Sequence, residues 1–218
     1  MQKSISLLAL VILFSCLLPA QLSGQGRWKR FWQLSGPERG WVIGHLWVAG
    51  KADRIARRAL VLTDSVATAQ GFAGSGNGDL QDAFRHGIWM AQLGQEIGLK
   101  KARKLGLARE KGQYQRWKRG KLGRNSGVDS TARAMDLWNN EKAFAIADRL
   151  PRANEAALTM AVLRDLEAGL FRVILRDAAG YYRDAGGSRI LLNRLIDVWE
   201  TPRCLVPSQL TIKEPDVE

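Results

Sequence analysis

Cysteine is scarce in this chain. Cys16 and Cys204 are the only two among 218 residues, and Cys16 lies inside an N-terminal apolar run. Once that run is removed or lipidated, Cys204 has no partner, and no intramolecular disulfide braces the fold. Long hydrophobic runs are also lacking. Leu7 to Leu18 is short of the ~20 apolar residues of a comfortable membrane span, and no other stretch approaches that length. Acidic residues are few, 21 against 33 lysines and arginines, for a net charge of +12. No nucleic-acid-binding motif accompanies this charge, and no internal repeat is visible.

Residues 1–24 read as a targeting segment. Lys3 is the single charge before Arg27, and the apolar run that follows has signal-peptide length. Leu18-Pro19-Ala20 and Leu22-Ser23-Gly24 both fit a signal-peptidase cut. Leu13-Phe14-Ser15-Cys16 alternatively resembles a loose lipobox that would lipidate Cys16. Either route predicts an extracytoplasmic protein: periplasmic, secreted or lipid-anchored. The remaining ~190 residues suffice for one domain with a substantial core, to which the eight tryptophans supply much of the apolar area.

The expected fold is mainly α, a single helical domain over 27–170 with a small C-terminal β-hairpin over 171–210 and a tail over 211–218. Ser35-Gly36-Pro37-Glu38 marks a helix start. Ile55, Ala59, Leu62 and Val66 form one apolar stripe of a helix over 51–69. Gly71 to Gly78 is a glycine-rich loop. Its spacing does not fit a dinucleotide or P-loop signature. Helices are predicted over 79–97, 99–111, from a Ser130 or Thr131 cap to Leu150, and over 152–168. Gln113 to Asp129 reads as a basic, glycine-punctuated connection or lid. Phe171 to Leu175 reads as a strand, with Tyr181-Tyr182-Arg183 its return partner.

Two stretches set polar groups into apolar, helix-period sequence: Asp82-Ala83-Phe84-Arg85-His86-Gly87-Ile88-Trp89 and Met135-Asp136-Leu137-Trp138-Asn139-Asn140. Asp82 and His86, four residues apart, share one helix face, as do Asp136 and Asn140. Burying such groups is costly unless they pair with one another or hold something. A candidate site therefore lies where the two helices meet.

On these motifs the chain resembles DUF6973, a family of bacterial secreted or toxin-associated domains. The flanks Phe31-Trp32-Gln33-Leu34, Pro37-Glu38 and Arg203-Cys204-Leu205-Val206 resemble its envelope-associated members. The resemblance implies a helical fold and brings no established activity. It also marks departures. Where the family usually carries His-Glu, this chain has Arg109-Glu110, and an arginine neither ligates a cation nor acts as a base near neutral pH. A usual Val-Gly appears as Lys142-Ala143.

Two functions fit these residues. In the first, Asp82, His86, Glu110 and Asp136 hold a divalent metal that activates water for hydrolysis. Without a metal, His86 oriented by Asp82 would act as base, while Asn139 and Asn140 polarise a substrate oxygen. His86, Asp82, Asp136, Asn139 and Asn140 are then the catalytic candidates. In the second, the same groups form a closed hydrogen-bond network that locks the helices of a non-catalytic envelope protein. Lys100 to Arg124, where Glu110 is the only acid, forms a basic face suited to an anionic polymer or membrane surface. His45 reads as a core-edge histidine and Cys204 as a packing thiol. Trp28, Phe31 and Trp32, among basic residues, fit either a membrane surface or packing on the domain.

Overall fold

The computed structural model describes residues 24–72, 74, 76–122 and 127–211. The expected targeting segment up to Ser23, including Cys16, and the tail beyond Thr211 lie outside the described residues. In chain order the helices are α1 (Gly24–Gln33), α2 (Gly36–Gly44), α3 (Leu46–Gln70), α4 (Leu80–Ile97), α5 (Leu99–Lys118), α6 (Ser130–Arg149) and α7 (Glu155–Glu167). Two short strands follow, β1 (Arg172–Ile174) and β2 (Leu205–Pro207). The chain is mainly α with a small C-terminal antiparallel sheet, as expected.

Helix α4 is the hub. Ala83, Phe84, Ile88, Met90, Ala91 and Leu93 are fully buried on it, and a helix apolar on nearly all sides belongs inside a domain. It packs against α3, α5, α6 and α7. Its polar residues Asp82 and His86 are therefore carried into the interior with the apolar ones. Ile55 and Ala59 of α3 are buried as the periodicity predicts, while Leu62 and Val66 pack half-buried at the edge of the core.

Local chemistry sets the helix ends. Ser35 caps α2 in a capping box: its Oγ accepts from the Glu38 N–H at 3.4 Å, and its own N–H donates to Glu38 Oε2 at 2.8 Å. Asp79 caps α4 and Asn154 caps α7. At α6 the cap is Asp129, accepting from the Ala132 N–H at 2.8 Å, not Ser130 or Thr131. Helix α7 starts at Glu155, three residues later than expected, because Asn154 supplies the cap and Pro151-Arg152 forms a turn.

Two corrections concern longer stretches. Helix α5 runs on to Lys118, so 113–118 is helix and not connection. Gly112, which suggests a break, is a packing glycine: a Cβ there would lie 2.0 Å from Ser35 Oγ, so its small size lets α2 approach. Tertiary packing thus overrides the residue's weak helix propensity. The ladder partner of β1 is β2, with Val173 opposite Val206 and Ile174 opposite Leu205. Tyr182 meets Arg176 only at an isolated bridge. Val173 and Ile174 are buried, and the apolar Leu205-Val206 pair matches them. Arg183 instead turns to an ion pair with Asp177 at 2.6 Å.

The C-terminal segment returns to the start of α6. Arg203 and Asp129 form a buried ion pair, Thr201 donates to the same carboxylate, and the Ser130 N–H donates to the Trp199 carbonyl at 2.9 Å. This strap places the Trp199 ring against Tyr114 and Trp117 of α5, with centroids 4.7 and 5.0 Å away.

Candidate metal centre

Helices α4, α5 and α6 meet around a cavity of about 160 Å³. Asp82 and His86 enter it from one face of α4, Glu110 from α5 and Asp136 from α6. The closeness of α5 to α6 depends on Gly106, where a Cβ would lie 3.0 Å from the Asn140 amide nitrogen.

His86 is held at both ends. Its Nδ1–H donates to Asn140 Oδ1 at 3.0 Å. Its Nε2 faces Asp136 Oδ1 at 3.4 Å and Asp82 Oδ1 at 3.8 Å. With the Nδ1 proton anchored, the lone pair of the neutral ring sits on Nε2 and looks at two carboxylates. Lone pairs facing one another repel unless a proton or a cation lies between them. One ligand atom each from Asp82, His86 and Asp136 lie within 4.8 Å of one another, close enough to share one ion.

Asp82 is fixed by its surroundings. Oδ2 accepts from the Gly78 N–H at 2.7 Å, and Oδ1 accepts from Arg85. Gly78 has φ +76°, and a Cβ would meet the Ile174 side chain at 2.7 Å, so the loop needs glycine there. Arg85 also donates to the Gly76 carbonyl at 3.1 Å, tying the loop to the helix.

Asp136 and Glu110 are not so well provided for. Asp136 Oδ1 and Glu110 Oε1 are buried without a hydrogen-bond partner. Burial pushes the Asp136 carboxyl up to about 6, with Asp82 adding to the rise and His86, Arg109 and Arg85 opposing it. Burial, then the charge of Asp136, pushes Glu110 up to about 8 against the pull of Arg109 and Arg133. A sealed, mutually satisfied network would leave neither oxygen orphaned.

Glu110 lines the same cavity but stands outside the three-residue cluster. Asn140 contributes by orienting His86. Asn139 is not brought to the cavity. Its Nδ2 donates to the Arg172 carbonyl at 2.9 Å, and its Oδ1 accepts from the Arg172 N–H at 2.8 Å. Both ends of this amide hold β1 against α6. Asn139→Ala orphans two backbone groups and should cost about 2–4 kcal/mol in urea unfolding, with cation affinity unchanged.

Arg109 forms part of the cavity wall, its guanidinium 5.3 Å from the Trp89 ring centroid and its Nε without a partner. Arg85, Arg133 and Trp199 also line the cavity and were not candidates from the sequence. A signal for two of them exists: Arg85 lies three residues after Asp82 and Arg133 three before Asp136, each on the face of its aspartate. Trp199 comes from a segment without periodicity.

The remaining candidates lie elsewhere. His45 bonds the Trp41 carbonyl through Nδ1 at 2.8 Å and stacks on the Trp41 ring. Cys204 is half-buried, and burial pushes its thiol up, away from nucleophilic chemistry. Trp28, Phe31 and Trp32 pack on one another, leaving Trp28 and Trp32 exposed. No helix among the described residues is long and apolar enough to cross a membrane.

No curated protein and no solved structure matches the chain. Residues 39–169, which include Asp82, His86, Glu110, Asp136 and Asn140, match the model of a domain of unknown function, DUF6973, and the chain belongs to that family.

Proposed function

We propose that Asp82, His86 and Asp136 bind a divalent cation and that the protein is a metal-assisted hydrolase. The observation that carries this is the aim of His86 Nε2 between two buried carboxylates, with Nδ1 anchored on Asn140. This is the arrangement in which an outer partner fixes the tautomer of a metal-ligating histidine. An imidazole with two carboxylates suits zinc, manganese or iron. A cation held there supplies Lewis acidity and a nucleophilic water near neutral pH.

The side chains around the cluster divide the remaining work. Glu110, with its carboxyl raised to about 8, holds a proton at neutral pH and can deliver it to a leaving group. Arg85 fixes Asp82. Arg109 and Arg133 bring positive charge to the cavity, where negative charge develops during hydrolysis. An envelope or other anionic substrate fits this charge, the basic run over 100–124 and the targeting-like run Leu7 to Leu18. An extracytoplasmic location and an anionic polymer or membrane as partner belong to the same proposal.

The test is hydrolysis of a panel of ester and phosphoester substrates by protein stripped with chelator and then reloaded. Activity that disappears with the chelator and returns with one divalent ion is the expected outcome. Equal activity in stripped and reloaded protein, or none in either, would remove the proposal. Asn140→Ala should weaken cation affinity by about 10–100-fold, the range for loss of a ligand's orienting partner. Competition against a metallochromic indicator measures this directly.

A further inference from the structure

We infer that the cavity takes the dianionic phosphoryl group of a phosphate monoester, held between the cation and the guanidinium groups of Arg109 and Arg133. The inference rests on the cation site proposed above and adds a substrate class to it.

Charge points this way first. Asp82, Glu110 and Asp136 line the cavity together with Arg85, Arg109 and Arg133. Three guanidinium groups outnumber the two ligand carboxylates, Asp82 and Asp136, and a divalent cation adds two further positive charges. A phosphate monoester near neutral pH carries close to two negative charges, whereas a carboxylate or a diester carries one.

The arginines are also disposed differently. Arg85 is occupied by Asp82 and the Gly76 carbonyl. Arg109 is stacked on Trp89 with its Nε unpartnered. Arg133 is exposed and lines the cavity, where its charge acts on Glu110. A planar guanidinium fork matches two oxygens of a tetrahedral phosphoryl group, leaving a further oxygen for the cation.

Size is compatible with this. The cavity of about 160 Å³ is open to solvent and admits a phosphoryl group together with an attacking water. A terminal phosphoryl group can sit beside the cation site with its leaving group toward solvent.

Calorimetry on full-length, manganese-loaded protein tests this. Inorganic phosphate, glycerol phosphate, acetate and phosphatidylcholine vesicles containing phosphatidic acid are titrated separately, after manganese binding alone has been measured. Phosphate should bind at least about tenfold more tightly than acetate. Arg109→Gln and Arg133→Gln should each weaken phosphate by about tenfold or more while leaving manganese affinity within about twofold. Arg133 is exposed, so its variant remains informative if Arg109→Gln misfolds. Binding of glycerol phosphate supports a soluble monoester, and binding of the vesicles alone supports a lipid headgroup. Manganese binding with phosphate no tighter than acetate, or with phosphate indifferent to both substitutions, overturns the phosphoryl assignment and leaves the cation site standing. Failure to bind manganese overturns both.

Discussion

Asp136→Asn should make the cation-free protein more stable and at the same time abolish its cation binding. The wild-type carboxylate is buried, its Oδ1 has no hydrogen-bond partner, and burial raises its pKa to about 6. At pH 7.5 the fold therefore carries a charge it solvates poorly. Asparagine has the same shape without the charge, so the expected gain is about 1–3 kcal/mol in urea unfolding. Asparagine is also a much poorer cation ligand. Affinity should fall by more than about a hundredfold, beyond the cost of losing an outer partner. Opposite signs in stability and function are the mark of a site strained for a ligand. Had Asp136 been one member of a satisfied helix-locking network, its substitution would destabilise the fold and leave no functional deficit to explain.

Raising the pH from about 5 to about 8 should destabilise the cation-free protein. The two groups responsible are Asp136, raised from 3.8 to about 6, and Glu110, raised from 4.5 to about 8. A carboxyl whose pKa is higher in the folded state binds more protons folded than unfolded between its two values. Stability therefore falls as pH climbs through that window. Across pH 5 to 8 the two shifts together correspond to a loss on the order of 5 kcal/mol. Glu141, held below its ordinary range by the hydrogen bond from Arg103, acts only below about pH 4.5 and leaves the window untouched. Saturating cation should flatten or reverse the trend, because it binds the deprotonated carboxylates and stabilises the folded state by mass action. Urea midpoints at pH 5 and pH 8, with and without manganese, measure both effects. A cation-free protein that gains stability across this range would mean that the fold solvates these carboxylates better than water does.

Much of the architecture was legible because it rests on local rules. The helical period placed α3, α4 and α6, Ser35 and Glu38 announced the start of α2, and the four-residue spacings put Asp82 with His86 and Asp136 with Asn140. The link between those pairs, His86 to Asn140, was expected only as a meeting of helices, since no spacing within one helix specifies it. Asn139 adjoins Asn140 in the chain, but on a helix neighbours point about 100° apart. Nothing local says that Arg172 will occupy it. Arg109 reads in sequence as the loss of a histidine. Its place on the cavity wall follows from Trp89 on another helix and from the close approach of α5 that Gly106 allows. Gly112 looks like punctuation until Ser35 is seen against it. The pairing of β1 with β2 joins residues more than thirty positions apart, a distance over which no turn signal operates.

The central claim is that one divalent ion sits on Asp82, His86 and Asp136. Elemental analysis after manganese or zinc loading and exhaustive dialysis tests it most directly, with His86→Ala, verified as folded by circular dichroism, in parallel. The expected result is one ion per chain in the wild type and none above background in the variant. No retained metal in the wild type, or equal metal in the variant, would contradict it.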